Sequence, residues 1–285
     1  MNSAVVPPLS VCLFPVAGLG TKFLPVTKNT PKEMLPLLNR PIIHYGVEEA
    51  VNSGCSKVVF ITGVGKGSIR DYFSPNPELV KILRTDGRDD TADMIESISK
   101  LANFQYVGQP SPNGLGDAIR CAASKCANVK YFGVILPDDV MRGGMPALAQ
   151  LDALRAQRGG SVIALERVCG TESHRYGMAE TEEVEPGVHR IKKLVEKPSP
   201  GSMKSNLAVI GRYILSTKIF GHIEKLKPDS NGEYQLTDAI MAMIDEEPLW
   251  GLECGAERLD CGTISGWLAA TARMASEMPE YRDIF

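Results

Sequence analysis

The chain has 285 residues, 44% of them hydrophobic and 23% charged, which fits a soluble protein of one large α/β domain or two small ones. A net charge of −3 argues against a nucleic-acid partner held by bulk electrostatics, and no apolar run approaches the ~20 residues that span a bilayer. Seven cysteines, odd in number and without a CxxC pair, point to reduced thiols in a cytoplasmic protein rather than a zinc site. The start, "MNSAVVPPLSVCLFP", lacks a basic leader and is interrupted by Pro7 and Pro8, so no signal peptide is expected.

In chain order, "SVCLFPV" is a short apolar strand followed by a long loop. "PIIHYGVEEAVNSG" reads as a helix with Pro41 in its first turn and Gly54 at its end. "KVVFIT" is a buried strand, "GSIRDYF" a short helix, and "ELVKILRTDGRDDTADMIESISKLA" a charged helical insertion broken at Gly87. "FQYV" is a strand, "GLGDAIRCAASKCA" a helix, and "YFGVILPDDV" a strand ending in two carboxylates. This alternation predicts a doubly wound, mostly parallel sheet. After Gly160 the strands "SVIALERV", "YGMAETEEV", "VHRIKKLVEKP" and "NLAVIGRYILS" follow without long helices between them. Helices at "TKIFGHIEKL" and "QLTDAIMAMIDEE", a strand at "LWGLEC" and a closing helix at "GWLAATARMASEM" complete the pattern. His44, His174, His189 and His222 share no ligand spacing and read as surface or packing residues.

The loop after the first strand, "VAGLGTKFLPVTKNTPKEMLP", carries chemistry. It leaves the carboxyl end of a strand, where open α/β sheets place ligands. Gly18 and Gly20 let backbone N–H groups approach a ligand, and such a nest favours phosphate oxygens. Lys22, Lys28 and Lys32 add positive charge, so the loop suits a polyphosphate. It is neither a dinucleotide fingerprint, lacking the third glycine, nor a P-loop, lacking GK[ST]. Further on, the apolar strand of "VILPDDV" ends in Asp138 and Asp139, and "RLDCGT" sets Asp260 before a glycine. Paired carboxylates of this kind suit octahedral Mg2+, and they equally suit turn and helix caps.

"FPVAGLGTKFLPVTKNTPKEMLPLLNRPIIHYGVEEA" resembles the signature GxGT(R/K)xxPxTxxxPKxxLP of the sugar-1-phosphate nucleotidyltransferases. "GQPSPNGLGDAI", "VILPDDV", "YGMAE", "LVEKPSPGSMKSNLAVIGRYIL", "GEYQLTDAI" and "LDCGT" follow in that family's order, so the resemblance runs from about Ser10 to Met274. It implies a single α/β domain over residues 1–285 with a Rossmann-like, mixed and mostly parallel central sheet. The nucleotide-binding half would lie at about 10–160. A β-rich sugar-phosphate half with closing helices would lie at about 161–275. "GLGDA" before Cys121, the helical insertion and "SNLAVIGRY" look like the uridylyl branch, which implies UTP and glucose 1-phosphate as substrates, Mg2+ as cofactor and a homo-oligomer, dimer or tetramer.

The resemblance also implies roles. Ala17, Gly18, Leu19, Gly20 and Thr21 would hold the nucleotide, with Lys32 along the triphosphate. Gln109 and Gly114 would read the base. Glu196 would accept hydrogen bonds from sugar hydroxyls, Lys197 would pair with the sugar phosphate, and the Gly177 backbone would approach the sugar. Asp138 and Asp260 would be the metal ligands, with Asp139 nearer the sugar. The nucleophile needs no general base, because a phosphate monoester, second pKa about 6, is largely dianionic at pH 7. One residue departs from the pattern: Lys22 stands where arginine is usual, a point charge in place of a planar fork. That departure admits two alternatives to the uridylyltransferase, a weakly active or regulatory paralogue and a cytidylyl- or thymidylyltransferase on the same fold.

Overall fold

The structure is a computed structural model describing residues 7–199 and 201–282. The first six residues of the segment considered for a leader, and Pro200 of the "EKPSPG" stretch, lie outside the described residues.

Strand β1 (Val11–Pro15) runs into a loop wound as three 3-10 turns, Thr21–Phe23, Val26–Lys28 and Lys32–Met34, and then into the two-residue strands β2 (Pro36–Leu37) and β3 (Arg40–Pro41). Helix α1 (Ile42–Asn52) starts one residue later than expected, because Pro41 is extended and precedes the first turn. Strand β4 (Lys57–Thr62) and helix α2 (Gly67–Phe73) follow. The charged insertion is two helices, α3 (Pro77–Thr85) and α4 (Asp89–Lys100), and Asn76 Oδ1 caps the first by accepting from Leu79 N at 3.1 Å. Strand β5 (Asn103–Gly108), helix α5 (Leu115–Cys121) and strand β6 (Tyr131–Ile135) continue the alternation.

The strand expected over "YFGVILPDDV" is divided: β6 stops at Ile135 and a separate strand β7 (Asp139–Arg142) follows, and then comes helix α6 (Ala147–Arg158), to which the sequence pattern gives no counterpart. Leu148, Leu151 and Leu154 sit at helical spacing and are buried, so the signal was present in the sequence. The expected strands β8 (Ser161–Arg167), β9 (Gly177–Glu185), β10 (Val188–Glu196) and β11 (Leu207–Ser216) come next. Helices α7 (Ile219–Ile223) and α8 (Leu236–Ala242), strands β12 (Leu249–Glu253) and β13 (Glu257–Asp260), and helix α9 (Ile264–Ala275) close the chain.

One nine-stranded sheet, ordered β5-β4-β1-β6-β11-β8-β12-β10-β9, passes through both halves of the chain. It is mixed. β5, β4, β1 and β6 are mutually parallel, and so are β8 and β12. β11 runs antiparallel to β6 and β8, and β10 antiparallel to β12 and β9, so the parallel share is smaller than the alternation predicted. Within this sheet only β9 and β10, joined through Pro186 and Gly187, owe their antiparallel pairing to a tight turn; the other antiparallel neighbours are distant in the chain.

Alternation along each strand fills both faces. Val11 and Leu13 of β1, with Val59 and Ile61 of β4, join a core with residues of α5, α7 and α8. Cys12 and Phe14, with Val58 and Phe60, join the opposite core with residues of α1, α2 and α6. Each such side chain contributes roughly 1.5–3 kcal/mol when fully buried. A third cluster, including Phe23, Leu35, Leu37, Val140, Leu259 and Met274, seats the long loop against β7, β13 and α9. That is why Phe23 and Leu35 stand among the loop's charges. No helix among the described residues is long and apolar enough to cross a membrane.

Candidate active site

Two cavities open at the carboxyl end of the parallel strands. The first, about 480 Å³, is bordered by the loop residues Ala17, Gly18, Leu19, Thr21 and Lys32 and by Gln109 and Gly114 across from them. Gly20 does not border it; its carbonyl accepts from Thr27 Oγ1 at 2.8 Å and shapes the loop from behind. The loop is pinned beside Lys32 by a buried ion pair, Lys66 Nζ to Glu33 Oε2 at 2.8 Å. Gly114 has φ +95, and a Cβ there would lie 2.9 Å from the Tyr234 backbone, so no side chain fits.

The second cavity, about 560 Å³, is bordered by Lys22, Gly177, Glu196, Lys197, Asp139 and Asp260. Asp138, Leu115 and Leu136 border both cavities, so Asp138 stands at their junction. Lys22 thus faces the second cavity rather than the loop's own. It is exposed and forms no ion pair among the described residues. Glu196 Oε2 accepts from Thr237 Oγ1 at 2.6 Å, and Lys197 Nζ lies 3.7 Å from Glu196 Oε1. Lys197 has φ +41, a left-handed backbone that costs a non-glycine residue about 1–3 kcal/mol and clusters at ligand sites.

Local geometry sets the carboxylates. β6 ends at Ile135, and Asp138 lies in the turn beyond it, while Asp139 begins β7 rather than ending the same strand. β7 pairs antiparallel with β13, which sets Asp139 opposite Asp260. Like charges opposite one another destabilise a ribbon. Arg258 offsets this, with Nε 2.6 Å from Asp139 Oδ1 and Nη2 3.7 Å from Asp260 Oδ2. Asp139 Oδ2 also accepts from Gly211 N at 3.2 Å, so both of its oxygens have protein partners. Burial pushes the Asp139 carboxyl up from its ordinary value against the pull of Arg258.

Burial would also raise Asp138, but Lys32, whose Nζ donates to Oδ2 at 2.6 Å, and Lys22 hold it below the usual carboxylate range. Burial acts to lower Lys32, yet Asp138 and Glu33 more than offset it and keep the ammonium above its ordinary pKa. Asp260 Oδ2 accepts from Arg175 Nη2 at 2.9 Å, and its Oδ1 from Gly262 N at 2.9 Å.

The donor set fits a hard divalent cation. A Cβ on Gly262 would lie 3.1 Å from Asp260 Oδ1 and 3.2 Å from Asp138 Oδ2, so both carboxylates border one gap that only the glycine leaves open. Two carboxylate oxygens with room for phosphate oxygens and water make an oxygen-only set of the kind Mg2+ takes.

Several residues at the site escaped the sequence. Arg258 is two positions before Asp260 on β13, and period-two alternation could have placed it on the same face. Arg175 and Tyr176 border the second cavity, and so does His174, one of the four histidines that the sequence pattern assigns to surface or packing. Arg212 is fully buried. It donates to both oxygens of Glu49 at 2.7–3.0 Å and to the carbonyls of Leu136, Gly211 and Asp139 at 2.6–3.1 Å. It thereby holds the backbone on both sides of Asp138. A buried arginine in "VIGRYIL" has no local sequence signal beyond its apolar surroundings.

The family described as nucleotidyl transferase matches residues 15–277. A Staphylococcus haemolyticus protein named UTP–glucose-1-phosphate uridylyltransferase is 40% identical over 271 residues, 95% of this chain and 94% of that protein. The protein of the same name from Bacillus subtilis is 36% identical over 95% of this chain and 92% of its own. A solved UDP-glucose pyrophosphorylase, complexed with UDP-glucose, superposes with TM-score 0.86 at 37% identity, covering 95% of this chain and 100% of that one. UTP-bound UGPase from Acinetobacter baumannii gives TM-score 0.87 at 33% identity, covering 96% of this chain and 95% of that one. The match from 15 to 277 leaves few residues outside it, and the chain belongs to the nucleotidyl transferase family.

Proposed function

We propose that this chain is a UTP–glucose-1-phosphate uridylyltransferase, joining UTP and α-D-glucose 1-phosphate into UDP-glucose and pyrophosphate. The observation that carries this is the meeting of two cavities at Asp138, one walled by a glycine- and lysine-bearing loop, the other by Glu196 and Lys197. The names of the Staphylococcus haemolyticus and Bacillus subtilis relatives, at 40% and 36% identity, agree with it.

The chemistry follows from charge. An oxygen of the sugar phosphate attacks the α-phosphorus of UTP, a new P–O bond forms, the α–β bond breaks and pyrophosphate leaves. The loop backbone over 17–21 and Lys32 receive the triphosphate, Gln109 and Gly114 the base, and Lys197 the attacking phosphate. Glu196, fixed by Thr237, and the open backbone at Gly177 receive the sugar, with Asp139 nearer the sugar than the metal ligands. Asp138 and Asp260 would hold Mg2+, which neutralises phosphate charge when bound. Positioning and electrostatics carry the rate in such transfers, so no base is needed. The free thiols suit a cytoplasmic setting, and a homo-oligomer belongs to the same proposal.

A pyrophosphate-release assay across four NTPs and several sugar 1-phosphates, with and without Mg2+, tests it. UTP with glucose 1-phosphate should give the highest kcat/KM. Faster release with dTTP or CTP would overturn the assignment.

Lys22 decides between an active enzyme and a regulatory chain. As a cation that faces the second cavity and forms no ion pair among the described residues, it is placed to stabilise charge as pyrophosphate departs. Lys22→Ala should lower kcat more than it raises KM for UTP, by about 2–4 kcal/mol on the analogy of oxyanion donors. Lys22→Arg should retain or raise kcat, since a guanidinium engages two phosphate oxygens. A regulatory chain would instead bind nucleotide with negligible wild-type turnover. Unchanged kcat and KM in Lys22→Ala would leave Lys22 a solvated surface charge.

A further inference from the structure

The amide of Gln109 is locked in one orientation. Its backbone N donates to Thr62 O at 2.8 Å just beyond β5, which fixes the main chain, and the residue is 6% exposed. Its side-chain Nε2 donates to two groups, Gly114 O at 3.2 Å and Asp117 Oδ2 at 2.9 Å. Both are pure acceptors, so the NH2 end must face them and cannot be exchanged with the carbonyl. Asp117 is 2% exposed, in the first turn of α5, and its other oxygen is held by Arg120. Gln109 Oε1, at the opposite end of the planar amide, accepts from no described residue and is not enclosed, and Gln109 borders the loop cavity.

We infer that Asp117 is a specificity-determining positioning residue: by holding the Gln109 amide, it makes the cavity present a hydrogen-bond acceptor to the base. This rests on the proposed function in one respect, that the loop cavity takes the pyrimidine. Uracil carries N3–H, a donor that an acceptor satisfies. Cytosine in the same pose turns a lone pair at N3 toward Oε1, and both groups stay unsatisfied. Thymine shares N3–H with uracil and is not excluded by this contact. Asp117 itself does not border the cavity.

Asp117→Asn tests the device with almost no change of shape. Arg120 retains the Asn oxygen, which turns the Asn NH2 toward Gln109 and disfavours the native amide orientation. The expected result is a UTP-over-CTP preference in kcat/KM reduced about tenfold or more, with the same loss in UMP-over-CMP affinity measured by calorimetry. The dTTP-to-UTP ratio should stay within error. Adding Arg120→Ala frees the Asn carbonyl to swing back to Gln109 and should restore most of the preference, a rescue that a purely structural role would not give. If Asp117→Asn does not fold, Gln109→Leu removes the acceptor outright and should abolish the preference.

An unchanged preference in either folded variant, or a wild type that binds CMP as well as UMP, overturns the inference. A wild type that binds UMP over CMP in the predicted way, yet releases no pyrophosphate, would defeat the proposed reaction while leaving this inference standing.

Discussion

Asp138→Ala and Asp260→Ala should each lose turnover by about three orders of magnitude, while circular dichroism and thermal unfolding remain close to wild type. Asp138 borders both cavities, and its Oδ2 shares with Asp260 Oδ1 the gap that Gly262 leaves open. Removing one carboxylate removes charge compensation worth several kcal/mol in metal-assisted phosphoryl transfer. The fold should tolerate both changes. Asp138 lies in a turn, and Asp260 ends a four-residue strand and accepts one backbone hydrogen bond, from Gly262. Binding of Mn2+ followed by electron paramagnetic resonance gives a readout apart from turnover, and each variant should weaken it. Full activity with undiminished Mn2+ binding in Asp260→Ala would reduce that residue to a cap. The same outcome in Asp138→Ala would reduce its role to pairing with Lys32.

Arg212→Met should cost about 3–5 kcal/mol of stability, because it strands the Glu49 carboxylate in the core without its partner. For a chain of this size that is a fall in Tm on the order of 10 °C. The buried pair also spans the sheet to the site. Arg212 donates to Leu136 O and Asp139 O, on either side of Asp138, and Glu49 Oε1 accepts from Leu148 N at 3.1 Å at the head of α6. Residual folded Arg212→Met should therefore also show reduced kcat. The double variant Arg212→Met, Glu49→Leu should be more stable than Arg212→Met alone, since replacing a buried pair by apolar groups is often neutral. An Arg212→Met protein melting within a degree of wild type would show that Glu49 finds water or another cation on its own.

Much of this was legible in the residues. Short β-branched runs alternating with amphipathic segments announced an α/β sheet. Gly18, Gly20 and the lysines between prolines marked a loop for polyphosphate, and the ordered motifs carried the family resemblance. Such signals are local: period, turn chemistry and charge within some twenty residues act before any distant contact forms. The helix at Ala147–Arg158 is equally legible in Leu148, Leu151 and Leu154 at helical spacing.

Other features depend on pairings between distant parts of the chain. The ribbon of β7 and β13 sets Asp260 beside Asp138 and Asp139 across more than a hundred residues, and Arg258 becomes their counter-ion only there. β11 inserts between β6 and β8, carrying Arg212 to Glu49 and the backbone around Asp138. Lys22 lies on the loop yet faces the other cavity, and Gln109 gains a fixed amide only where Asp117 of α5 meets it. The sequence by itself determined which elements form and which charges the chain carries, because those follow from neighbours along the backbone. Which charges face one another was decided only by tertiary structure, because strand order and register are set by burying both faces of one sheet at once.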